Sequence, residues 1–187
     1  MLAPALLLFL FCNKAALQGR ALIATGLLFS WAGDVLLMLE SKGALFFIMG
    51  LVCFLVTHIC YIAYFTRIKS AQPSLIKRQP WLAVLVAGYG AALVVLLWPG
   101  LKEMKLPVAL YATIICSMAI SSLHIFYKVN KPANALFVAG ALFFAASDSL
   151  LAVNKFYQPV ASAGAWVIAT YCAAQFFIVK GAIKNSA

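Results

Sequence analysis

The sequence predicts an all-α membrane protein, a polytopic bundle of about seven transmembrane helices. Hydrophobic residues make up 66% of the 187 residues and charged residues only 10%, a far more apolar balance than a water-soluble domain of this size carries. Apolar stretches about 20 residues long recur along the chain, and this is the length that crosses a hydrocarbon layer as a helix. Short clusters of Lys, Arg, Pro, Asn and Gly separate them. We therefore expect residues 1–187 to form a single integral-membrane helical domain.

Seven apolar segments are predicted to be helices. Residues 2–12 are shorter than a full span. We interpret them as a retained first helix, because no basic residue precedes them and no clear small-residue cleavage site follows, as a signal peptide requires. The six longer spans are predicted at residues 21–39, 43–65, 81–98, 107–127, 133–152 and 161–180.

The distribution of basic residues predicts the orientation in the membrane. The net charge is +10, but Lys and Arg occupy alternate loops rather than one soluble face, so nucleic-acid binding is not indicated and membrane lipid is the expected neighbour. The set predicted to be cytoplasmic by the positive-inside rule comprises Lys14, Arg20, Arg67, Lys69, Lys77, Arg78, Lys128, Lys131, Lys180 and Lys184. The other side holds only Lys42, Lys102, Lys105 and Lys155, with Glu40 and Glu103. We expect a cytoplasmic C-terminus, and the short loops favour a bacterial inner membrane over the endoplasmic reticulum.

Two aspartates, Asp34 and Asp148, lie inside predicted spans. An ionisable residue within a span costs roughly 2.5–3.5 kcal/mol on insertion, so it persists where it is paired, hydrated or functional. The surrounding residues nearly repeat. Gly26, Leu28, Phe29 and Ala32 precede the first aspartate as Gly140, Leu142, Phe143 and Ala146 precede the second. These two carboxylates are therefore the first candidates for catalytic residues.

The spacing also predicts that the two carboxylates can meet. Each lies about six residues, or roughly 9 Å, below the outer end of its span. Small residues on the same helix faces allow close packing; they are Gly26, Ser30 and Gly33 on the first helix and Gly140 and Ser147 on the second.

Two carboxylates facing each other in an apolar medium cannot both ionise cheaply, so one keeps a proton. Such a pair suits acid–base hydrolysis of ethers, aspartic-protease chemistry or proton-coupled transport; a purely structural role, in which each aspartate hydrogen-bonds neighbours to lock the bundle, stays open.

Four other residues are candidates for the surroundings of the aspartates. Trp31 places an aromatic ring one turn from Asp34, and Tyr111 lies at the depth of the aspartates. His58 and Tyr61 lie three residues apart, nearer the inner side, so we expect them to support the site or contact a headgroup. No metal site and no cofactor are predicted, since the five cysteines are dispersed and no serine-hydrolase, nucleotide or zincin motif occurs.

The sequence resembles the YhhN-like lysoplasmalogenase family of multi-pass membrane proteins. The segments that carry the resemblance are Gly26 to Leu37 with Gly33-Asp34, Phe54 to Tyr61 with His58, Pro107 to Met118 with Tyr111, Gly140 to Ala152 with Ser147-Asp148, and Tyr171 to Gln175. The resemblance implies about eight membrane helices, one more than the sequence itself indicates. It also implies a lysophospholipid substrate, whose vinyl ether bond is hydrolysed to a fatty aldehyde and a glycerophospho-alcohol.

For such a reaction, one aspartate would protonate the vinyl ether and the other would stabilise the cation and activate water. We favour Asp148 as the acid, because Ser30 offers a hydrogen bond to Asp34 on the same helix face. A proton-coupled lipid or solute transporter using the same aspartates is the alternative. An intramembrane aspartyl protease is disfavoured, since neither aspartate stands in the Tyr-Asp or Gly-x-Gly-Asp context of that class. The sequence leaves open the headgroup, the chain length and the oligomeric state.

Overall fold

A computed structural model describes residues 2–12 and 19–186 and confirms the all-α class. The helices are α1 (Ala3–Cys12), α2 (Arg20–Met38), α3 (Ala44–Arg67), α4 (Leu75–Arg78), α5 (Trp81–Leu97), α6 (Lys105–His124), α7 (Lys131–Phe156) and α8 (Ala163–Ser186). Two single-turn 3-10 helices, Glu40–Lys42 and Lys102–Met104, precede α3 and α6. Lys14, placed by the sequence among the cytoplasmic basic residues, lies outside the described residues. We call the end of the bundle where α2 and α7 terminate the outer end, following the predicted orientation.

Each of the seven predicted segments coincides with a helix. Within the described ranges, α2, α3, α7 and α8 and the segment that contains α6 are long and apolar enough to cross a membrane, whereas α1 and α5 are shorter apolar helices of 10 and 17 residues. The additional helix, α4, is a single turn begun by Ser74, whose Oγ accepts a hydrogen bond from the Lys77 amide. A helical membrane bundle is therefore the architecture, while the number of crossings stays a prediction.

The bundle is built around two helical hairpins. Helix α2 packs along α3, α7 packs along α8, α6 lies against both α3 and α7, and α5 packs on α6. Aromatic and aliphatic side chains fill the interior, among them Ile23, Leu27, Tyr61, Phe65, Met118, Phe137, Phe144 and Ile178. Helices α2 and α7 do not pack along one another, contrary to the expectation that the two aspartate helices meet.

The small residues explain this difference. A Cβ on Gly26 would lie 2.7 Å from the Tyr61 ring of α3, and one on Gly33 would lie 2.9 Å from the Phe54 ring. A Cβ on Gly140 would lie 3.1 Å from the Ala174 carbonyl oxygen of α8. The glycines of both aspartate helices thus admit the next long helix or its aromatic rings, and not the other aspartate helix.

We expect Gly140→Ala to destabilise the α7–α8 hairpin. The added methyl group meets Ile178 at 2.6 Å and backbone atoms at 3.1 and 3.2 Å, and overpacking of this kind costs typically 1–3 kcal/mol. Gly88→Ala is the matched control, because nothing lies within 4 Å of a Cβ there and Ala is favoured over Gly in a helix by about 0.5–1 kcal/mol. Thermal unfolding in detergent should therefore give opposite changes in midpoint. A Gly140→Ala midpoint at or above that of the parent would contradict the packing.

Candidate active site

Asp148 accepts two hydrogen bonds from neighbouring helices. The hydroxyl of Tyr111 on α6 donates to Asp148 Oδ2 at 2.7 Å. His58 Nε2 on α3 lies 3.0 Å from the same oxygen and 3.3 Å from the Tyr111 hydroxyl. Three helices thus converge on one carboxylate, in a cluster that we call the Asp148 triad (His58, Tyr111 and Asp148).

His58 lies closer to Asp148 than the sequence-based depth count predicted. Phe47 of α3 packs edge-to-face on Phe156 of α7, with centroids 6.0 Å apart. Counted from this contact, His58 is eleven residues along α3 and Asp148 is eight along α7, a difference of only about 4.5 Å. His58 does lie nearer the inner end, but the predicted offset was too large because α7 continues to Phe156, beyond its predicted end at 152, and the two side chains span the offset that remains.

The surroundings of His58 favour one tautomer. His58 is fully buried, and its Nδ1 has no hydrogen-bond partner among the described residues. A stranded N–H donor is costly in an apolar interior, so the proton belongs on Nε2, where it is donated to Asp148. Tyr111 and His58 then both donate to the same oxygen, Asp148 Oδ2.

Asp34 belongs to a second polar network. Tyr171 on α8 donates to Asp34 Oδ2 at 3.0 Å, and its hydroxyl lies 2.5 Å from Ser30 Oγ. Gln175 Nε2 donates to Ser30 Oγ at 2.6 Å, and its Oε1 accepts from Tyr61 at 2.5 Å. Because the Tyr171 hydroxyl gives its one hydrogen to Asp34, Ser30 Oγ is the donor to Tyr171, and the hydrogen bonds of this Asp34 network run in one direction, from Tyr61 to the carboxylate. Ser30 therefore supports Asp34 through Tyr171, and Gln175 joins α8 to α2 and α3.

In the part of the chain that the structure describes, no hydrogen bond joins Asp34 to Asp148. Aromatic rings lie between their networks: Phe144 packs edge-to-face on His58 at 4.6 Å and on Tyr171 at 5.7 Å. The direct proton sharing expected from the sequence is thus replaced by two separate networks joined by ring contacts. The helices explain this, since α2 and α7 each pack on a different partner helix.

Asp148 lines two cavities. The larger, of about 280 Å³, is an apolar groove between α5, α6 and α7. It extends beyond the triad toward the inner end as far as Leu142 and Ala119, six and eight residues from Asp148 and Tyr111, or about 9–12 Å. The smaller, of about 30 Å³, lies toward the outer end beside Phe47 and Phe156. Asp34 lines neither cavity, so Asp148 is the one of the two carboxylates that borders the groove.

The other predicted residues have structural contacts. Gly33 packs on Phe54, Ser147 donates to the Val167 carbonyl of α8 at 3.1 Å, and Trp31 is 39% exposed and lines neither cavity. Sequence reasoning missed Tyr171 as the direct partner of Asp34. The available signal was its spacing of four residues from Gln175, which places two polar groups on one face of an apolar helix.

Comparison with known proteins gives concordant matches. A model of the YhhN family matches residues 1–182. Human lysoplasmalogenase TMEM86A is 30% identical over 181 residues, covering 95% of this chain and 70% of that protein. The lysoplasmalogenase of Mycobacterium tuberculosis is 29% identical and human lysoplasmalogenase TMEM86B is 29% identical, and the chain spans 60% and 64% of their lengths. No solved structure matches the chain significantly.

Proposed function

The chain belongs to the YhhN family, and on that premise we propose that it is an integral-membrane hydrolase, a lysoplasmalogenase. It cleaves the vinyl ether bond of a lysoplasmalogen and releases a fatty aldehyde and a glycerophospho-alcohol. The names of the relatives support the reaction class. The observation that carries the proposal is the position of Asp148, held by Tyr111 and His58 where an apolar groove meets a smaller outer cavity.

The groove suits the shape of the substrate. In a lysoplasmalogen the vinyl ether joins a long apolar chain to glycerol, close beneath the headgroup. The groove between α5, α6 and α7 takes the apolar chain, because its lining is mostly aliphatic and burial of each CH₂ contributes about 0.8 kcal/mol. The glycerol then lies toward the outer cavity, and the ether lies beside Asp148.

Proton transfer to carbon is the first chemical step. Protonated Asp148 gives its hydrogen to the vinyl carbon that is not bonded to oxygen, and the adjacent carbon becomes an oxocarbenium ion. The carboxylate left behind is stabilised by the hydrogen bonds from Tyr111 and His58, and it is paired with the new cation in a medium of low dielectric. General acid catalysis of this kind contributes typically 10²–10⁴-fold.

Water addition completes the reaction. The Asp148 carboxylate accepts a proton as water adds to the oxocarbenium carbon, and this restores the acid and gives a hemiacetal. The hemiacetal loses its hydroxyl proton and the glycerol oxygen gains one, so that the carbon–oxygen bond breaks to aldehyde and alcohol. One water is consumed and no net proton is released.

Asp34 acts at a distance as a positioning residue. It fixes the Tyr171 hydroxyl, the Tyr171 ring packs on Phe144, and Phe144 packs on His58. This series of contacts sets the orientation of the histidine that donates to Asp148. The sequence-based assignment of water activation to Asp34 is replaced here, because Asp34 borders neither described cavity.

The orientation that we propose follows the basic residues. Arg78 lies over the Tyr127 ring at 4.8 Å, and Asn130 donates to the Lys184 carbonyl at 2.6 Å, so several basic segments meet at the inner end. The positive-inside rule makes this end cytoplasmic, with the C-terminus inside. The triad then lies toward the opposite face, and a bacterial inner membrane is the proposed location.

The test compares three lysolipids that share chain and headgroup and differ only in the linkage: vinyl ether, saturated ether and ester. Purified protein should release aldehyde from the vinyl ether alone, because a saturated ether has no carbon that can accept the proton and an ester yields acid. Product masses identify the bond that breaks. Absence of aldehyde from all three, together with substrate-dependent proton flux in vesicles, would instead favour the transporter.

A further inference from the structure

Lys155 lies on the same face of α7 as Asp148. The two residues are seven apart, which is nearly two helical turns and a rise of about 10 Å toward the outer end. This rise is longer than the span from ether to phosphate across the three glycerol carbons of a glycerophospholipid, and the flexible four-carbon side chain of Lys155 covers the difference. Lys155 is therefore placed to reach a phosphate when the ether lies at the triad.

The outer cavity extends from the triad to Phe156, the neighbour of Lys155 in the chain, although Lys155 itself does not line it. Asp148 and Tyr111 line one part of it, and Phe47 and Phe156 line another. The ammonium group of Lys155 lies 4.8 Å from the centroid of the Phe47 ring. A glycerol unit on the side of the triad that faces this cavity would thus have the acid on one side and the Lys155 ammonium on the other.

Glu40 adds a negative charge at the same place. Lys155 Nζ donates to Glu40 Oε1 at 2.6 Å, and the two side chains are 38% and 37% exposed. An ion pair this exposed contributes about 0–1 kcal/mol to stability, so ligand groups can replace either partner at small cost. The two partners also belong to different elements, since Lys155 lies on α7 and Glu40 lies on the 3-10 turn before α3.

We propose that Lys155 and Glu40 form a subsite for a zwitterionic phospholipid headgroup. Lys155 binds the phosphate, and Glu40 binds the ammonium of an ethanolamine or choline group. The charges complement such a headgroup in number and sign, and the contacts to the phosphate and to the primary ammonium of ethanolamine are charge-assisted hydrogen bonds, which are the stronger class. The inference rests on the proposed function, since the triad and the subsite act on one substrate.

The experiment measures kcat/KM for aldehyde release from three alkenyl substrates with one chain. The first carries phosphoethanolamine, the second carries phosphate alone, and the third is the alkenylglycerol without phosphate. Lys155→Glu should lower the value about tenfold or more for the two phosphate substrates and leave that for the alkenylglycerol unchanged. Glu40→Gln should lower the value only for the phosphoethanolamine substrate.

Two further variants separate recognition from structure. The exchange Lys155→Glu with Glu40→Lys restores an ion pair, so a merely structural role predicts rescue, whereas the headgroup subsite predicts continued loss on the phosphoethanolamine substrate. Lys102→Glu makes the same charge change at another exposed lysine of the outer end and should leave the ratio between the phosphoethanolamine substrate and the alkenylglycerol unchanged.

Two results overturn the proposal. One is rescue by the exchanged pair, and the other is an equal loss on all three substrates in Lys155→Glu. Failure of the parent protein to release aldehyde from any alkenyl substrate is a different result, because it removes the proposed function itself.

Discussion

Asp148→Asn is expected to lower kcat for aldehyde release by about 10²–10⁴-fold, the contribution of a general acid. The amide keeps the size of the side chain and can still accept the hydrogen bond from Tyr111, so the fold should persist. It cannot deliver a proton to carbon, and it leaves no carboxylate to stabilise the oxocarbenium ion. Single-turnover release of aldehyde measures this loss apart from product dissociation, and thermal unfolding in detergent reports the fold.

Asp34→Asn is the matched comparison on the other aspartate helix. Its partner is Tyr171 and it lines neither cavity, so we expect a smaller loss in kcat than for Asp148→Asn. A near-normal rate in Asp148→Asn would remove the mechanism. Equal, large losses in both variants would instead favour the mechanism in which the two aspartates act as a pair.

Ala145→Phe is expected to lower kcat/KM for long-chain substrates about 100-fold, the scale associated with a substrate displaced by about 1 Å from its reacting position. Ala145 lines the groove one turn from Asp148 toward the inner end, and a ring there occupies space needed by the apolar chain. An analogue whose chain ends before this level avoids the ring and should keep most of its rate. The ratio of the two rates is the measurement.

Ala135→Phe controls for the added ring on the same helix, because Ala135 is exposed and lies nearly three turns further toward the inner end. It should change neither rate. Equal loss on long and short chains in Ala145→Phe would indicate damage to the triad rather than a blocked groove. An unchanged rate on the long chain would mean that the chain lies elsewhere.

Much of this structure can be predicted from the sequence because the membrane restricts the conformations that a chain can adopt. Backbone groups in hydrocarbon must be satisfied within their own helix, so apolar length predicted the six longer helical segments. The cost of an ionisable group in hydrocarbon similarly selected Asp34 and Asp148. His58, Tyr61, Tyr111 and Ser30 also take part in hydrogen bonds of the two networks.

The sequence by itself determined the class, the helices and the polar groups inside them, since these depend on local length and polarity. Only the tertiary structure decided which polar groups meet. Asp148 joins His58 and Tyr111 while Asp34 joins Tyr171, although both aspartates lie in nearly the same local sequence. The reason is that partners across helices depend on which helix each small-residue face admits, and Gly26 and Gly140 accept Tyr61 of α3 and Ile178 of α8, a pairing that no local pattern encodes.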